Sequence, residues 1–456
     1  MPAADGRSRV VVHSKLTVVS SRPVVPGKTH TFTALDHAMG LHSLHVVFYY
    51  KEQLFGSIDL DPLRVSLSET LSLYPQVTGR VDKNPDGNWE VKCNDAGVRV
   101  LMARVGTTLD EWLRSGDRSE ERLLTMWDDM PDDHSTWSPY RIQINEFEGG
   151  GVAIGLSCTH MHADPTCATL LIKSWAETHR REAISHPLLV DGSSVLGGRP
   201  VDQVINKKSS AAYYEAKFVA SKTTSLPVRK MGTATFKFSN STIKQELNSC
   251  PGATPFDLLA AMFWTQIARL KPSESKTKHS ISVCIDFRKK KSFGYYGNAM
   301  HFSLLSVLDV EELEREDGLA HVVRVVHRHV SSQKEEDFWS GMDWFEAQKG
   351  EGDKFGEPFK LYGPELTCVS MEHMLDDCQP LMYGVMFEKE EKPVHVSYHV
   401  GNMEGEGLIM VMPAPEGGLA RTVMVTLPEG ELAQLCEAEA ISSLNPTMLL
   451  SGRQTI

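Results

Sequence analysis

Two α/β lobes with mixed sheets, joined by a long crossover, are what this sequence predicts, on three observations. Strand-like and helix-like patterns interleave in both halves of the chain. The length, 456 residues, exceeds what one hydrophobic core ordinarily spans. Between about 180 and 230 the pattern decays into Gly, Ser, Lys and Pro, which reads as a connection between halves. The lobes are therefore expected at 1–180 and 231–456, with the crossover at 181–230. A channel is expected where they meet, since ligand sites favour domain interfaces.

The elements follow in order. Val10 to Val19 is rich in β-branched residues and reads as a strand. Asp61-Pro62 starts a helix, and Leu63, Leu67, Leu71 and Tyr74 form its apolar stripe. Trp89 to Leu101 returns to strand. Tyr140 to His160 reads as a hairpin: Arg141 to Asn145 alternates, Gly149 to Gly151 turns, and Val152, Ile154, Leu156 and Cys158 alternate again. Asp164-Pro165 then opens a helix carrying Ala168, Leu171, Ile172 and Trp175 on one side. In the second half, Ala234 to Phe238 is a strand. Thr254 caps a helix with Pro255 in its first turn and Phe256, Leu259, Phe263, Ile267 and Leu270 along one face. Further strands are expected at His279–Ile285, Leu366–Ser370, Val394–His399, Leu408–Met412 and Thr422–Leu427.

Composition narrows the function classes. The chain is 41% hydrophobic and 23% charged, as in ordinary globular proteins. A formal charge of −12 argues against nucleic acid as a partner, because phosphate binding needs a cationic surface. The first residues lack the apolar run of a secretory signal. No stretch is long and apolar enough to predict a membrane-spanning helix. The 8 cysteines are widely spaced with no CxxC pair, and most have apolar neighbours, as expected of reduced core thiols in a cytoplasmic protein. Trp137, Trp175, Trp264, Trp339 and Trp344 are expected in the core or in a lid.

The densest chemical signal is the run Leu156 to Pro165, with His160, His162 and Asp164 inside it. A histidine at the end of a buried strand, four residues before a helix start, is held rigidly. A general base needs such placement to meet a substrate proton at hydrogen-bond distance, and a neutral imidazole can take that proton near pH 7. Two other readings compete. His160 also continues the inward phase of Val152 to Cys158, as a core histidine would. The pattern Thr-His-x-His-x-Asp also resembles the first metal-binding stretch of metallo-β-lactamase-type hydrolases, which implies zinc ligands in His160, His162 and Asp164 as a metallohydrolase alternative. That motif, however, expects a further His after the Asp, where Pro165 stands.

The spacing His160-x-x-x-Asp164 resembles the HxxxD signature of the BAHD acyl-CoA-dependent acyltransferases. Other segments resemble the same family: Leu35 to Met39, Leu67 to Leu71 with Tyr74-Pro75 and Gly79-Arg80, Cys93 to Val98, Phe147 to Gly151, Thr254 to Trp264, and Tyr296 to Ala299. The resemblance covers nearly the whole chain. It implies two chloramphenicol-acetyltransferase-like lobes with a channel between them and His160 reachable from both sides. It also implies that His160 is the base which deprotonates a hydroxyl or amine for attack on an acyl-CoA thioester. No bound cofactor is implied; acyl-CoA is donor substrate or ligand. Asp164 and Arg288 would pair as structural support. Lys289, Lys290 and Lys291, following Arg288, would either face water as a charged loop or draw the CoA phosphates.

Two departures mark a branch. The family's second signature, Asp-Phe-Gly-Trp-Gly, is replaced before Lys392-Pro393 by Phe387 to Glu391, and the glycine after the motif aspartate is Pro165. Both departures resemble the eceriferum/glossy branch of plant wax synthesis, as do Lys92 to Arg99, Leu361 to Thr367, and Gly407 to Met412 with Ala420 to Pro428. That branch implies work on or with very-long-chain acyl-CoA in fatty acid elongation, with the condensing enzyme of the elongase as partner, either by acyl transfer or by binding the acyl chain and that enzyme with little or no transfer chemistry. It also implies a cytoplasmic place, at the cytosolic face of the endoplasmic reticulum, with peripheral membrane association. An active O- or N-acyltransferase of specialised metabolism is the alternative within the family.

Overall fold

The structure is a computed structural model and describes residues 8–51, 60–189, 208–223, 229–271, 278–288, 293–309 and 318–452. Two mixed sheets form its frame. The first has 6 strands in the order Val10–Val18, Val98–Thr108, Tyr140–Glu148, Val152–Thr159, Ser43–Tyr50, His395–Val400. The second has 7, in the order Met300–Asp309, Lys278–Asp286, Leu366–Ser370, Leu408–Pro413, Arg421–Pro428, Met231–Phe238, Thr447–Leu449. Each sheet mixes parallel and antiparallel neighbours: Val98–Thr108 runs parallel to Tyr140–Glu148, and Lys278–Asp286 parallel to Leu366–Ser370. The predicted α/β fold with mixed sheets is therefore observed.

The helix predicted from Asp61-Pro62 instead begins at Leu60, with Asp61 inside it, and ends at Leu71 before Tyr74. The stretch Trp89 to Leu101 is divided between two strands of different sheets, Trp89–Lys92 and Val98–Thr108. Other elements form for the reasons read from their residues. The hairpin Tyr140–Glu148 and Val152–Thr159 pairs antiparallel, with Ile144 opposite Ile154. Its turn uses left-handed φ angles of 83° at Gly149 and 102° at Gly150, conformations a side chain would strain. The helix Pro165–His179 has Asp164 as its cap, accepting from the Cys167 amide, and buries Ala168, Leu171, Ile172 and Trp175. Thr254 and Asp257 form a reciprocal capping box on the helix Pro255–Arg269. Seven of the 8 cysteines are buried and all are free; Cys378 is exposed. Trp137, Trp175, Trp264 and Trp344 lie in the interior, with Trp339 partly buried.

Three further features differ from the prediction. Ser43–Tyr50, a central strand of the first sheet, was not predicted, because both its faces are covered and no alternation survives. The weakly patterned crossover contains a regular helix, Lys208–Thr223, with Tyr213, Tyr214 and Lys217 on its buried side. Lysine at a buried helical position breaks the apolar stripe that would have marked it. Finally, His395–Val400 leaves the second half of the chain and pairs antiparallel with Ser43–Tyr50, closing that edge of the first sheet. The two sheets are thus tied together by chain exchange, beside the end of the strand that leads into His160.

Candidate active site

His160 follows directly on the strand Val152–Thr159, and both of its backbone groups are fixed. Its amide donates to the His42 carbonyl at 2.9 Å, and its carbonyl accepts from Asn298 Nδ2 at 2.9 Å. Asn298 also donates from its backbone and side-chain nitrogens to Asp36 Oδ1, at 2.9 and 2.7 Å. Asp36 in turn completes a capping box with Thr33. Three segments singled out in the sequence, around Asp36, His160 and Asn298, therefore meet at one point.

Below the histidine lies a buried ion pair. Arg288 Nη1 donates to Asp164 Oδ2 at 2.6 Å, with both side chains 0% exposed. The same guanidinium also pairs with Asp286 and donates through Nη2 to the carbonyls of Gly297 (2.7 Å) and Tyr295 (3.1 Å). Asp164 Oδ2 accepts as well from the Ala299 amide at 3.0 Å. Burial opposes the charge on Arg288, but Asp164 and Asp286 outweigh it and hold the guanidinium charged. One carboxylate thus caps the helix Pro165–His179 and, through Arg288, fastens it to the 295–299 loop. The expected pairing of Asp164 with Arg288 is present. Lys289, Lys290 and Lys291 lie outside the described residues.

The imidazole itself is enclosed. Nε2 lies 3.1 Å from the Tyr362 hydroxyl, while Nδ1 has no hydrogen-bond partner among the described residues. His42 packs edge-on against the Tyr362 ring at 5.1 Å and turns Nδ1 to the Gly401 carbonyl at 3.1 Å. Burial lowers the pKa of His160 below its ordinary value, so the ring is neutral near pH 7. His42 is pushed down to about 3 by burial and then by its neighbour His160. Here the structure corrects one expectation: His160 is 0% exposed and opens to neither side, because Tyr362 and His42 fill the space. A cavity of about 550 Å³ is lined in part by Leu41, Arg118, Lys360, Gly401 and Met403; His160 is not among its lining residues.

The metal alternative is corrected too. Asp164 is spent on Arg288 and two backbone amides, and His162 Nδ1 sits 3.3 Å from the Tyr296 hydroxyl, which contacts Tyr140 at 2.8 Å. His160, His162 and Asp164 do not converge, and no group of three or more His, Cys, Asp or Glu among the described residues is arranged to hold a metal ion.

The contacts of Tyr362 and the link from Asn298 to Asp36 were not foreseen. Leu361 to Thr367 and Tyr296 to Ala299 stood out only as motif fragments, and nothing local in them shows that they fold onto a residue more than a hundred positions away. At the other departure, Phe387 is buried and packs edge-on against Trp175 of the motif helix at 4.7 Å, so the replaced signature still anchors its segment there.

Comparison with known proteins agrees with this geometry. The model of the Transferase family matches residues 8–440. Protein ECERIFERUM 2 of Arabidopsis thaliana is 26% identical over 439 residues, covering 92% of this chain and 96% of the relative. The crystal structure of vinorine synthase superposes with a TM-score of 0.69 at 18% identity, covering 95% of this chain and 98% of that one. That of F. sporotrichioides TRI101, complexed with coenzyme A and T-2, does so with a TM-score of 0.62 at 14% identity, covering 93% and 100%. A two-lobed frame, a histidine at a strand end, and a supporting Asp–Arg pair beneath it go with a match along most of the sequence: this chain belongs to the Transferase family, the BAHD acyltransferases.

Proposed function

We propose that this protein transfers an acyl group from acyl-CoA to a hydroxyl or amine, with His160 as general base, and that its donors are very-long-chain acyl-CoAs of fatty acid elongation and cuticular wax synthesis. The observation that carries the reading is the His160–Tyr362 contact. A neutral imidazole, fixed through both backbone groups, holds a hydroxyl 3.1 Å from Nε2, the distance at which a base takes a proton. With the ring proton on Nδ1, an acceptor hydroxyl in that position donates to Nε2. Its oxygen bonds to the thioester carbonyl carbon as the proton passes to His160. The C–S bond then breaks, and the imidazolium returns the proton to the departing thiolate, giving an ester and free CoA.

Asp164 and Arg288 position this machinery without touching the reactants. The three lysines after Arg288, which lie outside the described residues, are assigned to the CoA phosphates; Arg288 itself is buried and paired with carboxylates. A wax-related role is supported by the similarity to ECERIFERUM 2 over most of both chains. On this reading the protein works with the condensing enzyme of the elongase, at the cytosolic face of the endoplasmic reticulum. The proposed association there is peripheral; no described helix is long and apolar enough to cross a membrane.

The test is turnover. Purified protein is incubated with acyl-CoAs of graded chain length and a panel of primary alcohols and amines, reading free CoA thiol and the product mass. Ester or amide formation that rises with acyl length supports the proposal. Consumption of none of the acyl-CoAs, with any acceptor, overturns it.

A further inference from the structure

We infer that Tyr362 is the residue that decides whether an acceptor reaches His160: its phenol stands in the acceptor's place, and its ring covers the imidazole. The inference deepens the proposed function, since it takes the position on Nε2 to be the acceptor's.

Three observations converge. First, the Tyr362 oxygen occupies Nε2 at 3.1 Å, and the ring is wedged edge-on between His42 at 5.1 Å and Phe302 at 5.4 Å, so no second hydroxyl fits there while it stays. Second, a chain of contacts leads from the cavity to the ring. Lys360 and Gly401 line the cavity; Lys360 is two positions from Tyr362, and the Gly401 carbonyl is bound to His42. Neither His42 nor Tyr362 lines the cavity; behind its Gly401 lining, His42 and then the Tyr362 ring lie on the way from about 550 Å³ of open space to the imidazole. Third, the ring is held from the crossover. Lys217, on the helix Lys208–Thr223, donates to the Leu361 carbonyl at 2.9 Å and to the Gly363 carbonyl, the residues on either side of Tyr362. It also pairs with Glu365 at 2.8 Å. A buried lysine spent on the backbone of one tripeptide fixes where that tripeptide's side chain points.

Removing the ring therefore takes away the side chain that covers Nε2 and exposes His160 toward the cavity, whereas removing only the hydroxyl frees Nε2 and leaves the ring standing. Tyr362 also sets specificity: an acceptor must displace it to reach Nε2, and shortening it admits bulkier acceptors.

The experiment reads accessibility rather than turnover. Diethyl pyrocarbonate labels unprotonated imidazoles, and peptide mass spectrometry reports the rate at each histidine, with the exposed His13 as internal reference. In the intact protein, His160 is expected to label at least about tenfold more slowly than His13, because labelling follows the population of the open state. Tyr362→Ala should raise the His160 rate about tenfold or more and leave His13 unchanged, while Tyr362→Phe should change it by less than about threefold. Lys217→Met, which keeps the ring and loosens its support, should give an intermediate rise, and it stands in if the Ala variant does not fold. Equal labelling of His160 and His13 in the intact protein overturns the inference. So does an unchanged His160 rate in a folded Tyr362→Ala or Lys217→Met variant. Faster labelling in a protein that never turns over keeps the covering role of the ring and removes the transferase reading; turnover with unchanged labelling does the reverse.

Discussion

Replacing Arg288 by Met tests how much of the fold rests on the pair beneath the histidine. The substitution keeps an unbranched side chain and deletes the charge. It leaves Asp164 (0% exposed) with two backbone amides and no counter-ion, and Asp286 (3% exposed) with Thr166 and His373. Breaking a buried ion pair from one side costs ~3–5 kcal/mol. The carbonyls of Tyr295 and Gly297 lose their donors as well, and each buried acceptor left unpaired adds ~1–3 kcal/mol. A domain's whole stability is ~5–15 kcal/mol, so Arg288→Met is expected to bring the protein close to its unfolding threshold. Urea denaturation followed by circular dichroism measures the loss. Repeating it from pH 7 to pH 5 should narrow the gap to the parent, because orphaned buried carboxylates take up protons as the pH falls. The double variant Asp164→Asn/Arg288→Met should recover part of the loss. A cost below about 1 kcal/mol, the range of an exposed pair, would refute this account of the site's foundation.

Three other outcomes are expected. Burial holds His42, His45 and His395 each at a pKa of about 3, against an ordinary 6.5. Below pH 6.5 the unfolded chain therefore binds protons the folded one refuses, and stability falls with pH. At pH 5 the loss is ~2 kcal/mol for each of these histidines; a urea midpoint that does not move between pH 7.5 and pH 5 contradicts this. Asn298→Ala should weaken catalysis through kcat more than KM, since it releases the His160 carbonyl and Asp36 without touching substrate; a pure KM effect would place Asn298 in contact with substrate instead. Gly155→Ala puts a Cβ 2.1 Å from the Leu124 carbonyl oxygen, so a melting temperature equal to the parent's would contradict the ~1–3 kcal/mol expected for such overpacking.

What was legible in the sequence is what local chemistry encodes. Asp164-Pro165 and Thr254-Pro255 announce helix starts because a cap and a first-turn proline act within four residues, and both form as read. The pairing of Asp164 with Arg288 came from family resemblance, and the structure supplies its physical content: two carboxylates and two carbonyls around one guanidinium. Ser43–Tyr50 was illegible because a strand buried on both faces carries no alternation. The move of His395–Val400 into the first sheet was illegible for another reason: its pattern says strand but names no neighbour. The closure of His160 by Tyr362 joins positions 202 residues apart, and no window on the sequence spans that distance.

The most direct measurement is a single turnover of very-long-chain acyl-CoA by the parent protein and by His160→Ala, followed as free CoA thiol under identical acceptor conditions. Loss of the base should slow thiol release by at least ~10²-fold while the circular dichroism spectrum stays that of the parent. Thiol release at the parent's rate by a folded His160→Ala protein would mean that this imidazole is not the base.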